Sequence, residues 1–329
     1  MAFRASIFLR QELKVRPAFE LALRSSCLQL VLSRWGLETA ALMGLRGEQS
    51  ASNDDRKERA VEAITKAMYE SGLDEHATDL EREMLEKPYR SWEYKDYVYG
   101  DHWESFGVLQ WILGRQHTIP AYYSSFDRAR LFQSTGIMPA DPTTVEKFVD
   151  PFMSSHMRQT VDASQLQHEV DISEAWVWRA RAQVLLTLRE ELAKETEADS
   201  SSKVSDTPVQ AALRSKHIPH SLRRMAADLP KTIPLAAKRA HAKGLVKAVE
   251  DDDFAITVEL KDTAGQHKSA LVPYSSLDQD HLDSIRKIAE SRFLAFAWSL
   301  GKADSWDVEK VGEIVSINPL SSMWTPNQS

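Results

Sequence analysis

The chain has 329 residues, 43% of them hydrophobic and 27% charged, which is ordinary globular composition and enough for one large domain or two smaller ones. A formal net charge of −7 gives no general case for nucleic-acid binding. No apolar run reaches the roughly 18 residues of a membrane span, and the single cysteine, Cys27, excludes an internal disulfide framework and fits a reducing compartment.

The first residues, MAFRASIFLRQELKVRPAFELALR, carry Arg4, Arg10, Lys14, Arg16 and Arg24 against Glu12 and Glu20. They read as an amphipathic first helix, or alternatively as a basic, acid-poor transit peptide. Residues 1–23 are therefore set apart as an N-terminal extension. The expected location is the cytoplasm, with the mitochondrial matrix as the alternative.

Helical spacing recurs at 19–35 and 55–71, with SASNDD between them as a polar loop and helix start. A third helix runs through TDLEREMLEK, capped by Thr78 or Asp79 and followed by Pro88. Residues 91–100 read as an aromatic loop. A helix then spans 101–113, with Gly114 as its C-terminal cap. A short helix is expected near 144–148, and a long one over 164–195, broken near Asp171.

Composition shifts at residue 196. KETEADSSSKVSDTP reads as a linker. Residues 211–247 hold nine Lys or Arg against Asp228 alone. Phe254, Ile256, Val258 and Leu260 alternate with smaller or polar residues as a strand, KDTAGQ turns the chain, and KSALVPYS returns. A last helix covers 279–300 and ends at Gly301. The predicted fold is mainly α: a multi-helix orthogonal bundle of residues 24–195 and 278–329. Residues 196–277 form a linker and a basic helical and β-hairpin insert.

Three charges fall on apolar helix faces. On a wheel of about 100° per residue, 101–113 is apolar on every side, which marks a buried central helix. Glu104 lies inside it, between Trp111 and Val108. In the last helix Arg292 sits in the stripe of Ile285, Ile288, Phe293 and Phe296. In the long helix Arg179 sits among Ile172, Ala175, Ala182 and Leu186, while Glu174 and Arg181 point to the other side. A buried carboxylate has to be paired, hydrogen-bonded or protonated. Glu104 is therefore expected to meet Arg179, Arg292 or both, as a register device or as a site. In the second case Glu104 is the acid–base group, the arginines clamp an anion, and His102, Tyr94, Tyr97 and Tyr99 line the pocket; the same four are equally explained as a loop packing on the core.

The block LEREMLEKP…SWEYKDYVYGDHWESFGVLQWILG resembles the most characteristic segment of an uncharacterised group, domain-of-unknown-function family 4272. DISEAWVWRARAQVLL and AESRFLAFAWSLGKADSWDV are similar to its middle and closing helices. The resemblance covers about 24–195 and 278–310. It places Glu104, Trp178, Arg292, Trp298, Trp306 and Asp307 on family positions. It implies a helical fold with a polar core and supplies no reaction. The insert before the closing helix departs from the compact family pattern and looks like a fungal-type elaboration.

Other signatures are missing. GLRGEQS lacks the Lys–Ser/Thr of a phosphate loop, and there is no G-x-S-x-G elbow. Cys27 shares an apolar stripe with Leu30 and Val31, as a core residue does. HIPH (His217, His220) and HEVD (His168, Glu169, Asp171) lack the convergent spacing of metal ligands. The basic insert lacks interleaved aromatics for stacking nucleic-acid bases, and EDDD at 250–253 is placed to neutralise it. No cofactor or metal is expected.

The leading expectation is a binding or interaction module, with an unknown small molecule or protein as partner. The alternative is an enzyme on a small anionic or aromatic substrate. Candidate residues are Glu104, Arg179, Arg292 and His102 for chemistry, and Tyr97, Trp103, Trp111, Trp178, Trp298 and Asp307 for ligand contact.

Overall fold

The computed structural model describes residues 14–44, 51–135, 161–198, 220–261 and 267–306. The helix expected near 144–148, most of the Ser-rich linker, the hairpin tip, His217 and Asp307 lie outside the described residues.

The protein is mainly helical, with a small antiparallel sheet. In chain order the helices are α1 (Ala18–Gly44), α2 (Ala51–Glu70), α3 (Asp79–Glu86), α4 (Tyr94–Tyr97), α5 (His102–Ile112), α6 (Arg128–Thr135), α7 (Ala163–Ala198), α8 (His220–Ala242) and α9 (Gln279–Ser299). The strands β1 (Val249–Glu250), β2 (Asp253–Lys261) and β3 (His267–Pro273) lie side by side in that order.

Local chemistry sets the ends that position the site. Thr78 caps α3 through a capping box: its hydroxyl accepts from the Glu81 N–H, and the Glu81 carboxylate accepts from the Thr78 N–H. Asp278 caps α9 by accepting from the His281 N–H. Both α5 and α9 end on a glycine with positive φ, Gly114 at 72° and Gly301 at 65°. In each case the next residue donates back to a carbonyl of the last turn, Arg115 to Gln110 at 2.7 Å and Lys302 to Ala297 at 2.8 Å.

Every residue of α5 is buried, as its all-round apolar pattern requires. It lies between α1 and α9; α9 packs in turn on α7, and α7 on α8. The buried stripe of α8 (Leu229, Ile233, Ala236, Ala237, Ala240) belongs to the same core as α5 and α9. The insert therefore docks mainly by apolar burial, worth roughly 1.5–3 kcal/mol per fully buried Leu or Ile. Within the insert Lys238 pairs with Asp252 at 2.9 Å. Helix α8 runs on through Pro230 and Pro234.

Four expectations are corrected. Helix α1 begins before residue 24, with Leu21, Ala22 and Leu23 buried, so the boundary drawn at 23/24 falls inside a helix. Helix α7 is unbroken at Asp171, whose carboxylate accepts from Gln167 one turn earlier at 2.6 Å. The aromatic segment is a short helix followed by a 3₁₀ turn, not a plain loop. Glu174, placed on the outer side of α7, is buried, while Arg181 is partly buried against Glu290 at 3.4 Å.

The EDDD run also has a structural task. Asp251 and Asp252 take positive φ (46° and 60°) between the paired Glu250 and Asp253, as the two-residue turn of a tight hairpin demands. That turn delivers Asp253 to Arg179 of α7, where its two oxygens accept from Nε and Nη2, each at 2.6 Å. Asp253 also accepts from the N–H groups of Phe254 (2.7 Å) and Ser275 (3.0 Å). Removing it strands a buried guanidinium. Asp253→Ala is expected to cost about 3–5 kcal/mol in urea unfolding. Hydrogen exchange should speed up in β1–β3 while α5 stays protected; an unchanged sheet would contradict this anchoring.

Candidate functional site

Glu104 and Arg292 meet, joining α5 to α9 across 188 positions of sequence. Glu104 Oε2 accepts from Arg292 Nε at 2.8 Å and lies 2.7 Å from Nη2. Glu104 Oε1 accepts from the Phe126 N–H at 3.0 Å. Arg292 spends its remaining donors on the loop after α5: Nη1 on the Pro120 carbonyl at 2.6 Å, Nη2 on that of Ser124 at 2.7 Å. Its guanidinium lies over the rings of Tyr122 and Phe126, 4.8 and 5.0 Å from their centres. Glu104 is 5% exposed and Arg292 0%. Gly107 lets Phe126 close on α5: a Cβ there would stand 2.4 Å from its ring.

Arg179 is the correction. It does not reach Glu104; it holds Asp253, lies 4.4 Å from the Tyr274 ring centre, and is 0% exposed. Burial opposes the charge of Asp253, but the hydrogen bonds and charge of Arg179 hold its pKa below the usual carboxylate value. The three helix charges read from the sequence thus form two separate clamps.

Two more buried pairs escaped the sequence reading. Arg24 of α1 is bonded to Glu81 of α3, which also accepts from the Tyr99 hydroxyl. Burial works against ionised Glu81, yet Arg24 and these bonds keep its pKa low. Arg34 is bonded to Glu38 one turn on, at 2.6 Å, and donates to the Pro88 carbonyl. Glu38 in turn accepts from the N–H of Arg90, which sits at φ 66°. An i,i+4 Arg–Glu pair looks like surface decoration in a sequence, and Arg24 looks like one more basic residue near the N-terminus.

The other candidates are dispersed. Trp111 and Trp178 are core residues, 2% and 0% exposed. Trp103 packs edge-on against Phe132 and Trp35. Tyr97 accepts at its carbonyl from Trp35 Nε1 and borders a cavity of about 300 Å³ with Glu38, Leu42 and Tyr94. Trp298 packs against Trp306 and under Arg16. Cys27 is buried, and burial pushes its thiol pKa up to about 12. Among the described residues no group of three His, Cys, Asp or Glu side chains could hold a metal ion, and no helix is long and apolar enough to cross a membrane.

Glu104 borders a small space of about 110 Å³. A cleft of about 770 Å³ opens where the starts of α3 and α5 face α9. Tyr99, His102 and Trp306 line it, with Lys95, Arg286 and Lys287 among its charged residues. His102 is 8% exposed, 4.1 Å from the Tyr99 ring and 6.0 Å from that of Trp306. Burial pushes its pKa down to about 4; Arg24 acts in the same direction, and Glu81 opposes.

Comparison of the chain with protein-family models, curated proteins and solved structures returns no match.

The His102 shift has a definite sign. Above pH 6.5 neither folded nor unfolded chain holds the proton. Below that value the unfolded chain takes it first, so stability falls as the pH drops from 6.5 toward about 4. A shift from 6.5 to about 4 corresponds to roughly 3 kcal/mol. His102→Phe should therefore gain about that much relative to the parent chain between pH 7 and pH 4. Urea unfolding at both pH values reads this out; parallel losses in the two proteins would contradict it.

Proposed function

We propose that this protein is a binding or interaction module of a reducing cell interior, without catalysis of its own, and that its Glu104–Arg292 pair is a structural clamp. The observation that carries the reading is the occupancy of Glu104. Both carboxylate oxygens are engaged, one by Arg292 and one by a backbone N–H. A general base needs a free lone pair within reach of substrate. Arg179 is equally committed to Asp253, which supports a structural reading of both pairs. The single, buried Cys27 supports the reducing compartment. The resemblance to domain-of-unknown-function family 4272 belongs to the same proposal and adds no activity to it.

Native mass spectrometry of the full chain, isolated without denaturation, tests this. The expected result is a native mass above the denatured one, by a small organic molecule or by a protein partner. A bare chain points to a partner lost on purification; turnover of a small anionic or aromatic compound by the purified chain, abolished in Glu104→Gln with the fold kept, would contradict the proposal.

A further inference from the structure

We infer that the 770 Å³ cleft between the starts of α3 and α5 and the middle of α9 is a binding site for a small planar aromatic carboxylate. The inference rests on the binding-module reading and names its site and ligand class.

Its size lies in the range of small-molecule pockets, about 300–1,000 Å³. Its lining is more telling. Four lining residues carry a buried polar atom with no hydrogen-bond partner: His102 Nδ1, Trp306 Nε1, Ser305 Oγ and Arg286 Nε. Buried polar atoms in folded proteins are nearly always paired. His102 and Trp306 are each only 8% exposed, so water does little for them.

The unpaired atoms share a chemical bias. The indole N–H of Trp306 and the Nε–H of Arg286 can only donate, and the serine hydroxyl can also donate. Imidazole, with its pKa pushed down to about 4, is neutral at pH 7 and keeps one N–H of its own. What is missing is an acceptor. Arg286 already holds Asp283 at 3.2 Å and Glu290 at 3.7 Å through its Nη atoms, which leaves its Nε–H over, and a donor on a guanidinium makes its stronger hydrogen bond with a charged acceptor.

The rest of the cleft sets the shape. Tyr99, His102 and Trp306 form a run of flat faces, with Tyr99 and His102 tilted by 31° and His102 and Trp306 by 34°. These tilted flat faces suit a planar aromatic guest. The lining acids already have cations: Asp79 has Arg82, Glu290 has Arg181 and Arg286, and Asp101 has Lys287 at 3.7 Å. One carboxylate on the guest is therefore not opposed by an unmatched acid. The floor is held in place, because the Tyr99 hydroxyl is bonded to Glu81 and Arg24 is bonded to that same carboxylate.

The test uses the full chain with naphthalene-2-carboxylate and its neutral amide as probes, followed by calorimetry and ligand-observed NMR. The carboxylate should bind with a submillimolar Kd and the amide at least tenfold more weakly. Trp306→Phe keeps a ring and removes the N–H; it should weaken the carboxylate about tenfold, while circular dichroism confirms folding. Arg286→Gln, at a partly exposed position, should do the same and guards against misfolding of the first variant. No binding, equal binding of acid and amide, or indifference to both substitutions would overturn the site and leave the module reading intact. Chemical conversion of the bound probe over time would overturn the non-catalytic reading while supporting the site.

Discussion

One buried guanidinium ties the two central helices together. Arg292 stands in the interior where α9 crosses α5, and each of its nitrogens has an acceptor: Glu104 at Nε, Pro120 at Nη1, Ser124 at Nη2. Taking both charges out of water costs several kcal/mol per ion before the pair forms. The pair is therefore not a net source of stability in the way a leucine is. What it adds is selectivity. Only one register of α5 against α9, with one course of the loop from 115 to 127, supplies every acceptor at once. A slip of one residue would leave a bare charge in an apolar interior.

The same device recurs. Arg24 joins α1 to α3 and the turn carrying Tyr99, Arg34 holds the loop at Pro88 and Arg90, and Arg179 anchors the hairpin. In each case the partner acid also accepts a further hydrogen bond, from the Tyr99 hydroxyl or from a main-chain N–H. Irregular chain cannot satisfy its polar backbone groups internally, and buried ones need partners. A guanidinium with five donors and a carboxylate with several acceptor sites meet that need compactly. The 770 Å³ cleft gains from this. Its walls come from separate segments, and the Arg24–Glu81–Tyr99 cluster ties its floor to α1.

Much of this frame could be read from the sequence where local rules act alone. The all-round apolar pattern of α5, the cap at Thr78 and the glycine stops at Gly114 and Gly301 each depend on a few neighbouring residues. Glu104 and Arg292 stood out because each interrupts an apolar face. Their pairing was one of the alternatives left open. The partner of Arg179 was not legible: Asp253 is one of four consecutive acids, 74 positions away, and only the turn at Asp251 and Asp252 separates its role from theirs. Arg34 and Glu38 were hidden by a spacing that exposed helices share. The cleft was illegible for a related reason. His102 and Tyr99 read as pocket residues, but around Glu104; Trp306 and Arg286 join them only once α3, α5 and α9 are packed, and no periodicity records that meeting.

The most direct test of the central claim is a double-mutant cycle on Glu104→Leu and Arg292→Met, read by urea unfolding. If the pair sets register, each single change strands a buried partner and costs about 3–5 kcal/mol, whereas the double change removes both charges and recovers much of that loss. Two small, additive effects would contradict the account, and the helices would then owe their register to apolar packing alone.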